Sequence, residues 1–212
     1  MNKDDFAVVA LDIETIPNND AIQFLPEPEP AKNLKDPEKI EADLEKKRRA
    51  QLGKMALDAL YGKICCISIT NGEAKKSFCL ENEKELLVFF FDFMRENIVR
   101  LVTFNGYGFD LPFIYRRAAI LGITPAYSLG HWGTRYSKEK HIDVMQVFGN
   151  YKDYYSLDSM SSIFFGIKKI DLDYKLFPEL MQTEAGRAQI VEYCEHDTEL
   201  TWMLFEAIQN VF

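Results

Sequence analysis

Four acidic side chains stand where an apolar residue or a helix cap is the ordinary choice: Asp12 and Glu14 in a strand pattern, Asp110 at the start of a helix pattern, and Asp197 inside another. Together they would form a carboxylate cage for two divalent metal ions, the apparatus of phosphodiester hydrolysis. Asp12 and Glu14 are two residues apart, so in a strand both leave the same face, about 7 Å apart. They could share a cation; the alternative is a strand's solvated end, with Pro17 close behind. Asp110 follows Asn105-Gly106-Tyr107-Gly108-Phe109 and precedes Pro112. Alone, it reads as a helix N-cap with proline in the first turn. Yet it lies just past an apolar strand, where ligands gather in sheets of this kind, and the glycines permit close backbone approach to a ligand. Asp197 is the most informative. At about 100° per residue it falls within the stripe of Ile190, Cys194, Thr201, Phe205 and Ile208, while Glu192, Glu195 and Glu199 face away. A carboxylate on a buried face is costly unless paired or coordinating metal. Tyr193, four residues earlier, shares its face. Four converging carboxylates repel one another, and bound cations relieve that repulsion.

The elements that must position these groups are legible in outline. Phe6 to Ile13 is almost continuously apolar and suits a central strand buried on both faces. Ile64 to Thr70 reads as a second strand, Asn71-Gly72 as a hairpin turn, and Lys76 to Leu80 as a third strand. Asn82 and Glu85 resemble a capping box opening a helix from Glu83 to about Asn97. Arg100 to Phe104 forms a fourth strand, and a helix follows from about Leu111 to Leu121, closed by Gly122. His141 to Gln146 reads as a fifth strand. A short helix runs from after Ser156 to Gly166, and the last spans about Glu184 to Asn210. This order predicts an α/β fold: a mixed five-stranded sheet, first an antiparallel meander and then parallel strands, flanked by helices. The odd stretch is Asn18 to about Gly62, an insertion between strands that a hairpin could join. It carries Pro26, Pro28 and Pro30 interleaved with acids, then Asp36-Pro37 as a helix start and a charged helix toward Tyr61. A connection this long is usually functional or disordered.

The bulk numbers are compatible with one domain spanning 212 residues. Apolar residues at 47% and charged residues at 27% are ordinary for a globular chain. The longest apolar run, Leu86 to Phe91, is far below the roughly 18 residues of a membrane span. Lys3, Asp4 and Asp5 lead directly into a strand pattern, unlike a leader peptide, so a cytoplasmic protein is expected. Cys65, Cys66, Cys79 and Cys194 show no CxxC spacing and read as reduced core thiols. The net charge of −8 argues against bulk coating of nucleic acid but not against a nuclease, whose metal site is itself acidic. The basic clusters Lys46 to Arg49, Arg116-Arg117 and Lys168-Lys169 read as solvated faces rather than phosphate contacts. Tyr151, Tyr154 and Tyr155 read as packing or rim.

Leu11 to Thr15 (LDIET), Phe104 to Asp110 (FNGYGFD) and Tyr193 to Asp197 (YCEHD), in this order, resemble the DEDD superfamily of 3′→5′ exonucleases, which has a ribonuclease H-like fold. The spacing of Tyr193 and Asp197 matches its tyrosine subclass; the histidine subclass position holds Glu192, and His196 does not fit. Leu11 to Pro17, Gly62 to Ile69, His141 to Met145 and Tyr193 to Glu199 are similar to stand-alone predicted exonucleases related to the exonuclease domain of family B DNA polymerases. The resemblance implies that Asp12, Glu14 and Asp197 hold one metal, that Asp12, with water-mediated help from Asp110, holds a second, and that Tyr193 orients the attacking water. An all-oxygen donor set suits Mg²⁺ or Mn²⁺. By the same resemblance Thr15 and Asn105 lie near the terminal nucleotide, while Tyr107 and Phe109 could stack on bases. The expected substrate is single-stranded DNA; RNA is the alternative, and a non-catalytic nucleic-acid-binding or proofreading accessory module is the reading of another class. No polymerase sequence accompanies the nuclease motifs, so proofreading would involve a polymerase or another replication or repair protein in trans. The insertion is expected beside the site, with its Lys46 to Arg49 run guiding a strand or docking a partner.

Overall fold

The computed structural model describes residues 7–97, 100–134 and 136–211. Phe6, read as the start of the first strand, and the leading Lys3, Asp4 and Asp5 lie outside the described residues. Five strands form one sheet: β1 (Val8–Pro17), β2 (Gly62–Thr70), β3 (Lys75–Cys79), β4 (Arg100–Thr103) and β5 (His141–Asp143). Their order across the sheet is β3-β2-β1-β4-β5. β1, β2 and β3 pair antiparallel, whereas β4 and β5 join parallel to the far side of β1. This is the mixed sheet expected from the sequence.

β1 is central because both its faces are covered. Val9, Leu11 and Ile13 pack with Ile67, Ile69 and Phe78 beneath the apolar faces of α2 (Glu83–Asn97) and α3 (Asp110–Ile120). On the other face, Ala10 packs with Val102, Ile142, Leu204 and Phe205 beneath α5 (Leu157–Phe165) and α7 (Glu184–Ile208). β1 runs to Pro17, beyond the expected Ile13, so Asp12 and Glu14 sit in the strand's interior rather than at a solvated end. Between Glu14 and Thr15 the pairing shifts, Glu14 opposing Cys66 and Thr15 opposing Ile64. Such a bulge locally increases twist and re-aims side chains.

The helix boundaries follow their caps. Asn82 Oδ1 accepts from the Lys84 and Glu85 amides while its Nδ2 donates to Glu85, opening α2. Ser156 caps α5, which stops at left-handed Gly166 (φ 71°). β5 is shorter than expected: Asp143 ends the strand and caps α4 (Val144–Phe148), since its Oδ1 accepts from the Gln146 amide. An apolar run this short has no period long enough to separate strand from helix. A four-residue helix, α6 (Phe177–Leu180), was also not legible.

The insertion contains a 3₁₀ turn at Asn19–Phe24, an extended proline segment, α1 (Pro37–Lys54) and a second 3₁₀ turn at Met55–Leu57. α1 buries no residue, and it ends seven residues short of the expected Tyr61. Its polar side chains clamp the proline segment: Asp43 accepts from the Ala31 amide, and Lys47 and Gln51 donate to the carbonyls of Glu29 and Pro26. Lys47, Arg48 and Arg49 pair with Asp43, Glu27 and Glu45 inside the insertion.

Candidate active site

The first two carboxylates owe their position to strand alternation. Asp12 and Glu14 leave β1 on the face covered by α7, while Ile13 between them enters the opposite core. α7 brings Cys194 and Asp197 over that face, and Cys194 donates toward the Asp12 carbonyl and carboxylate at 3.6 and 3.7 Å. Asp110 arrives from the C-terminal end of β4. Phe109, not Asp110, occupies the N-cap position of α3 and makes no side-chain cap. The Asp110 carboxylate is 3% exposed and is turned toward β1, near the Ile13 amide. The capping interpretation of Asp110 therefore does not hold.

The turn carrying Asp110 is braced from within. Asn105 adopts a left-handed conformation (φ 64°). Both oxygens of buried Asp143 accept from this turn, at the amides of Asn105 (3.0 Å) and Tyr107 (3.1 Å). A Cβ at Gly106 would sit 2.1 Å from Thr103 Oγ1, and one at Gly108 2.4 Å from Asn105 Oδ1. The glycines thus admit the protein's own side chains closely. Thr103 in turn contacts His141 Nε2 at 2.7 Å, and burial depresses this imidazole to about 3, leaving it neutral.

Asp12, Glu14, Asp110, Asp197 and Tyr193 line one open cavity of about 250 Å³, together with Thr15, Ala56, Leu57, Phe104, Asn105, Phe109, Lys169 and Tyr174. Among the predicted substrate contacts, Thr15, Asn105 and Phe109 reach this cavity. Thr15 also uses its hydroxyl to hold the Ala56 carbonyl at 2.6 Å, which fixes the end of the insertion as one wall. The insertion therefore lies beside the site as expected, through Ala56 and Leu57. Tyr107 does not line the cavity: its hydroxyl donates to the Trp132 and Thr134 carbonyls, and its ring packs 4.3 Å from His141. Its side chain serves the turn.

The electrostatics are those of an acidic cluster that one lysine compensates only in part. Burial, then Cys194 and the neighbouring carboxylates, hold Asp12 well above the ordinary carboxylate range. Burial and then Asp197 do the same for Glu14. Burial pushes Asp110 up to about 7. Asp197 is also raised by burial, against the opposing pull of Lys169. Lys169 was read as part of a solvated basic face, yet its Nζ lies 2.5 Å from Asp197 Oδ2 and 5.2 Å from the Tyr193 ring centroid. Burial opposes its charge, but Asp197 and Tyr193 hold the ammonium above its ordinary range. Burial and Asp197 push the Tyr193 phenol up to about 12. No periodicity signalled Lys169, because it lies in an irregular segment between α5 and α6.

Asp197 Oδ1 is buried without a hydrogen-bond partner, a costly state for a carboxylate oxygen. One oxygen each of Asp12 and Glu14 and the Cys194 sulfur lie within 4.8 Å of one another. The buried thiol, raised by its surroundings, is a donor to Asp12 rather than a ligand suited to a hard cation. An orphaned oxygen, four carboxylates and mutual repulsion all fit divalent ions coordinated by oxygen.

Residues 58–211 match the model of a family described as predicted 3′-5′ exonucleases related to the exonuclease domain of PolB. DNA polymerase 1 of Sulfurisphaera ohwakuensis is 30% identical over 139 residues, covering 58% of this chain and 15% of that protein. DNA polymerase 1 of Sulfolobus acidocaldarius is 31% identical over 138 residues, with the same coverage. The DNA polymerase delta catalytic subunit of Caenorhabditis elegans is 29% identical over 159 residues, 61% of this chain and 14% of that one. The chain thus spans about 15% of the length of these relatives. In fold it is similar to the family B DNA polymerase of Pyrobaculum calidifontis, with a TM-score of 0.65 over 95% of this chain and 24% of that one, at 19% identity. The sheet order, the carboxylate cavity and the match over residues 58–211 converge: this chain belongs to the family of predicted 3′-5′ exonucleases related to the exonuclease domain of PolB.

Proposed function

We propose that this protein is a metal-dependent 3′→5′ exonuclease that shortens single-stranded DNA from its 3′ end and releases nucleoside monophosphates. The observation that carries the reading is the gathering of four buried or half-buried carboxylates and Tyr193 in one open cavity, with one Asp197 oxygen unpartnered. Asp12, Glu14 and Asp197 would hold one divalent ion, and Asp12 with Asp110 a second, with Mg²⁺ or Mn²⁺ suiting the oxygen donors. When bound, the two ions supply the positive charge that makes a water acidic and offsets the charge developing on the phosphate and the leaving oxygen. Tyr193 stays protonated at neutral pH, since its phenol is pushed up to about 12. It therefore orients the attacking water by hydrogen bonding rather than removing its proton. Lys169 fixes Asp197 and Tyr193 relative to one another. The water oxygen bonds to phosphorus as the bond to the 3′ oxygen breaks. The water's proton passes to solvent, and the departing oxygen takes one up, leaving a 3′ hydroxyl and a 5′ monophosphate. Thr15, Asn105 and Phe109 would contact the terminal nucleotide. The similarity to DNA polymerases favours a polymerase as the partner in trans.

The test compares wild type with Asp12→Ala on DNA and RNA strands labelled at either end, with Mg²⁺, Mn²⁺ or EDTA. Stepwise loss from the 3′ end of DNA, abolished by EDTA and by the substitution, is the expected result. Digestion of RNA alone would transfer the assignment to an exoribonuclease. A folded, metal-loaded protein inert on both would favour a binding module.

A further inference from the structure

The nucleotide that enters the carboxylate cavity is one end of a strand, and the rest of that strand must leave the cavity over some surface. A group of exposed rings lies on the loop between α4 and α5 and on α5 itself. Tyr154 is 70% exposed, Tyr155 43% and Phe164 37%. Phe148 joins them from beneath, its ring 5.5 Å from Tyr155 and 5.6 Å from Phe164, both edge-on. Rings left exposed together mark a contact surface more than scattered aliphatic residues do.

The turn that leads into the two tyrosines is tightly closed. The chain turns through Asn150 and Tyr151 with both residues in the left-handed region (φ 50° and 60°), an uncommon choice for an asparagine and a rare one for a tyrosine. The turn is closed by the Tyr151 amide on the Gln146 carbonyl (2.8 Å) and the Asp153 amide on the Gly149 carbonyl (2.9 Å). A Cβ at Gly149 would stand 2.0 Å from the Asp153 oxygen, so only glycine lets the turn close this tightly. The two tyrosines are thus presented from a constrained turn, which lowers the entropy cost of binding.

Two links tie this region to residues that line the cavity. Phe148 and Tyr151 pack into the same apolar cluster as Phe104, which lines the cavity. Asp158 of α5 accepts the backbone amide of Lys169, whose ammonium lies in the cavity. In the chain, exposed Lys152 precedes the rings and exposed Lys168 follows them, and exposed Asp153 and Asp158 lie in the same stretch, so the rings rather than net charge define the surface.

We propose that this aromatic surface is a stacking platform for the bases of single-stranded nucleic acid upstream of the nucleotide held in the cavity. The proposal rests on the exonuclease reading for the direction of the strand. Stacking tolerates any base, because each has a π face, as an enzyme that removes successive nucleotides requires.

The test uses the full chain and a variant carrying Tyr154→Ala, Tyr155→Ala and Phe164→Ser, all at exposed positions. Oligothymidylates and oligouridylates from a dinucleotide to about twelve nucleotides are titrated by fluorescence anisotropy in EDTA, which keeps the strands intact. Hydrolysis of the p-nitrophenyl ester of thymidine 5′-monophosphate with Mn²⁺ reads the cavity alone. Wild-type affinity should rise with length, and the variant should lose that rise, binding the longest strands on the order of tenfold or more weakly per ring lost. Its hydrolysis of the small ester should equal wild type. Identical length dependence in both proteins, or no measurable binding by wild type, overturns the platform. A wild-type dimer in sedimentation that the variant abolishes, with strand binding unchanged, would reassign the surface to a second copy of this chain. Failure of both proteins to cleave the ester, with the length dependence still sensitive to the rings, would instead count against the catalytic reading and leave the platform standing.

Discussion

At the scale of single residues, chemistry is set by what surrounds each carboxylate rather than by its type. Asp197 and Glu195 lie two residues apart on α7, yet Glu195 meets Lys75 at 3.1 Å on a partly open face, while Asp197 is 4% exposed with one oxygen unpartnered. Asp110 makes the energetic consequence measurable. Its ordinary value of 3.8 is raised to about 7, so the folded state binds a proton that the unfolded state has released. Folding stability from this group is fully present below about pH 4 and is lost as pH rises through about 7. In EDTA, urea unfolding of the wild type should therefore fall relative to Asp110→Asn across this window, with a slope of up to about 1.4 kcal/mol per pH unit. Parallel curves for the two proteins would show that Asp110 titrates alike in both states. Lys169 illustrates the converse. A lysine in a basic pair carries no sequence mark of burial, and only its approach to Asp197 shows that it belongs to the site.

At the scale of elements, the site depends on junctions between them, one outside the cavity lining and one within it. Arg117 was read with Arg116 as a solvated basic face, but it lies inside α3's packing surface. Arg117 donates to both oxygens of Glu83 at 2.9 and 2.7 Å and to the Ala59 carbonyl at 2.9 Å, while Glu83 also accepts from the Ile64 amide at 2.7 Å. The pair, 4% and 6% exposed, joins α2, α3, β2 and the end of the insertion. Breaking such a pair leaves an unpaired buried charge, so Arg117→Met should cost about 3–5 kcal/mol, and adding Glu83→Leu should recover much of that loss. Denaturant melts of the single and double variants check this; an additive further loss in the double variant would mean that packing dominates. The Thr15 bond to Ala56 is the second junction, tying the insertion's last turn to the strand that carries Glu14.

At the scale of the whole molecule, the acidic cavity is a weak point that bound cations would remedy. Its carboxylates are raised by burial and by one another, so ions bound only in the folded state should stabilise it. At a concentration near 100 times the dissociation constant that gain is about 2.7 kcal/mol, a rise of several degrees in Tm for a chain of this size. Calorimetry with Mg²⁺ or Mn²⁺ at neutral pH should show the rise, and EDTA or Asp197→Ala should remove it. An equal rise in the variant would place the stabilising ions elsewhere. No described helix is long and apolar enough to cross a membrane, in keeping with the short apolar runs of the sequence.

Residue order by itself determined the sheet and the main carboxylates. Both rest on local regularity: strand alternation puts Asp12 and Glu14 on one face, helix periodicity places Asp197 on a buried stripe, and caps at Asn82, Ser156 and Asp36 open their helices. Tertiary structure decided what has no local period. It took Asp110 from a cap to the cavity wall, ended β5 at Asp143 and used that aspartate to brace a distant turn, drew Lys169 out of solvent, buried Arg117 and turned Tyr107 away. The partners are distant in sequence: 25 residues separate Tyr107 from Trp132, 38 separate Asn105 from Asp143, and 58 separate Arg117 from Ala59. A short-range pattern specifies which face a side chain leaves; it cannot specify which distant atom will be waiting there.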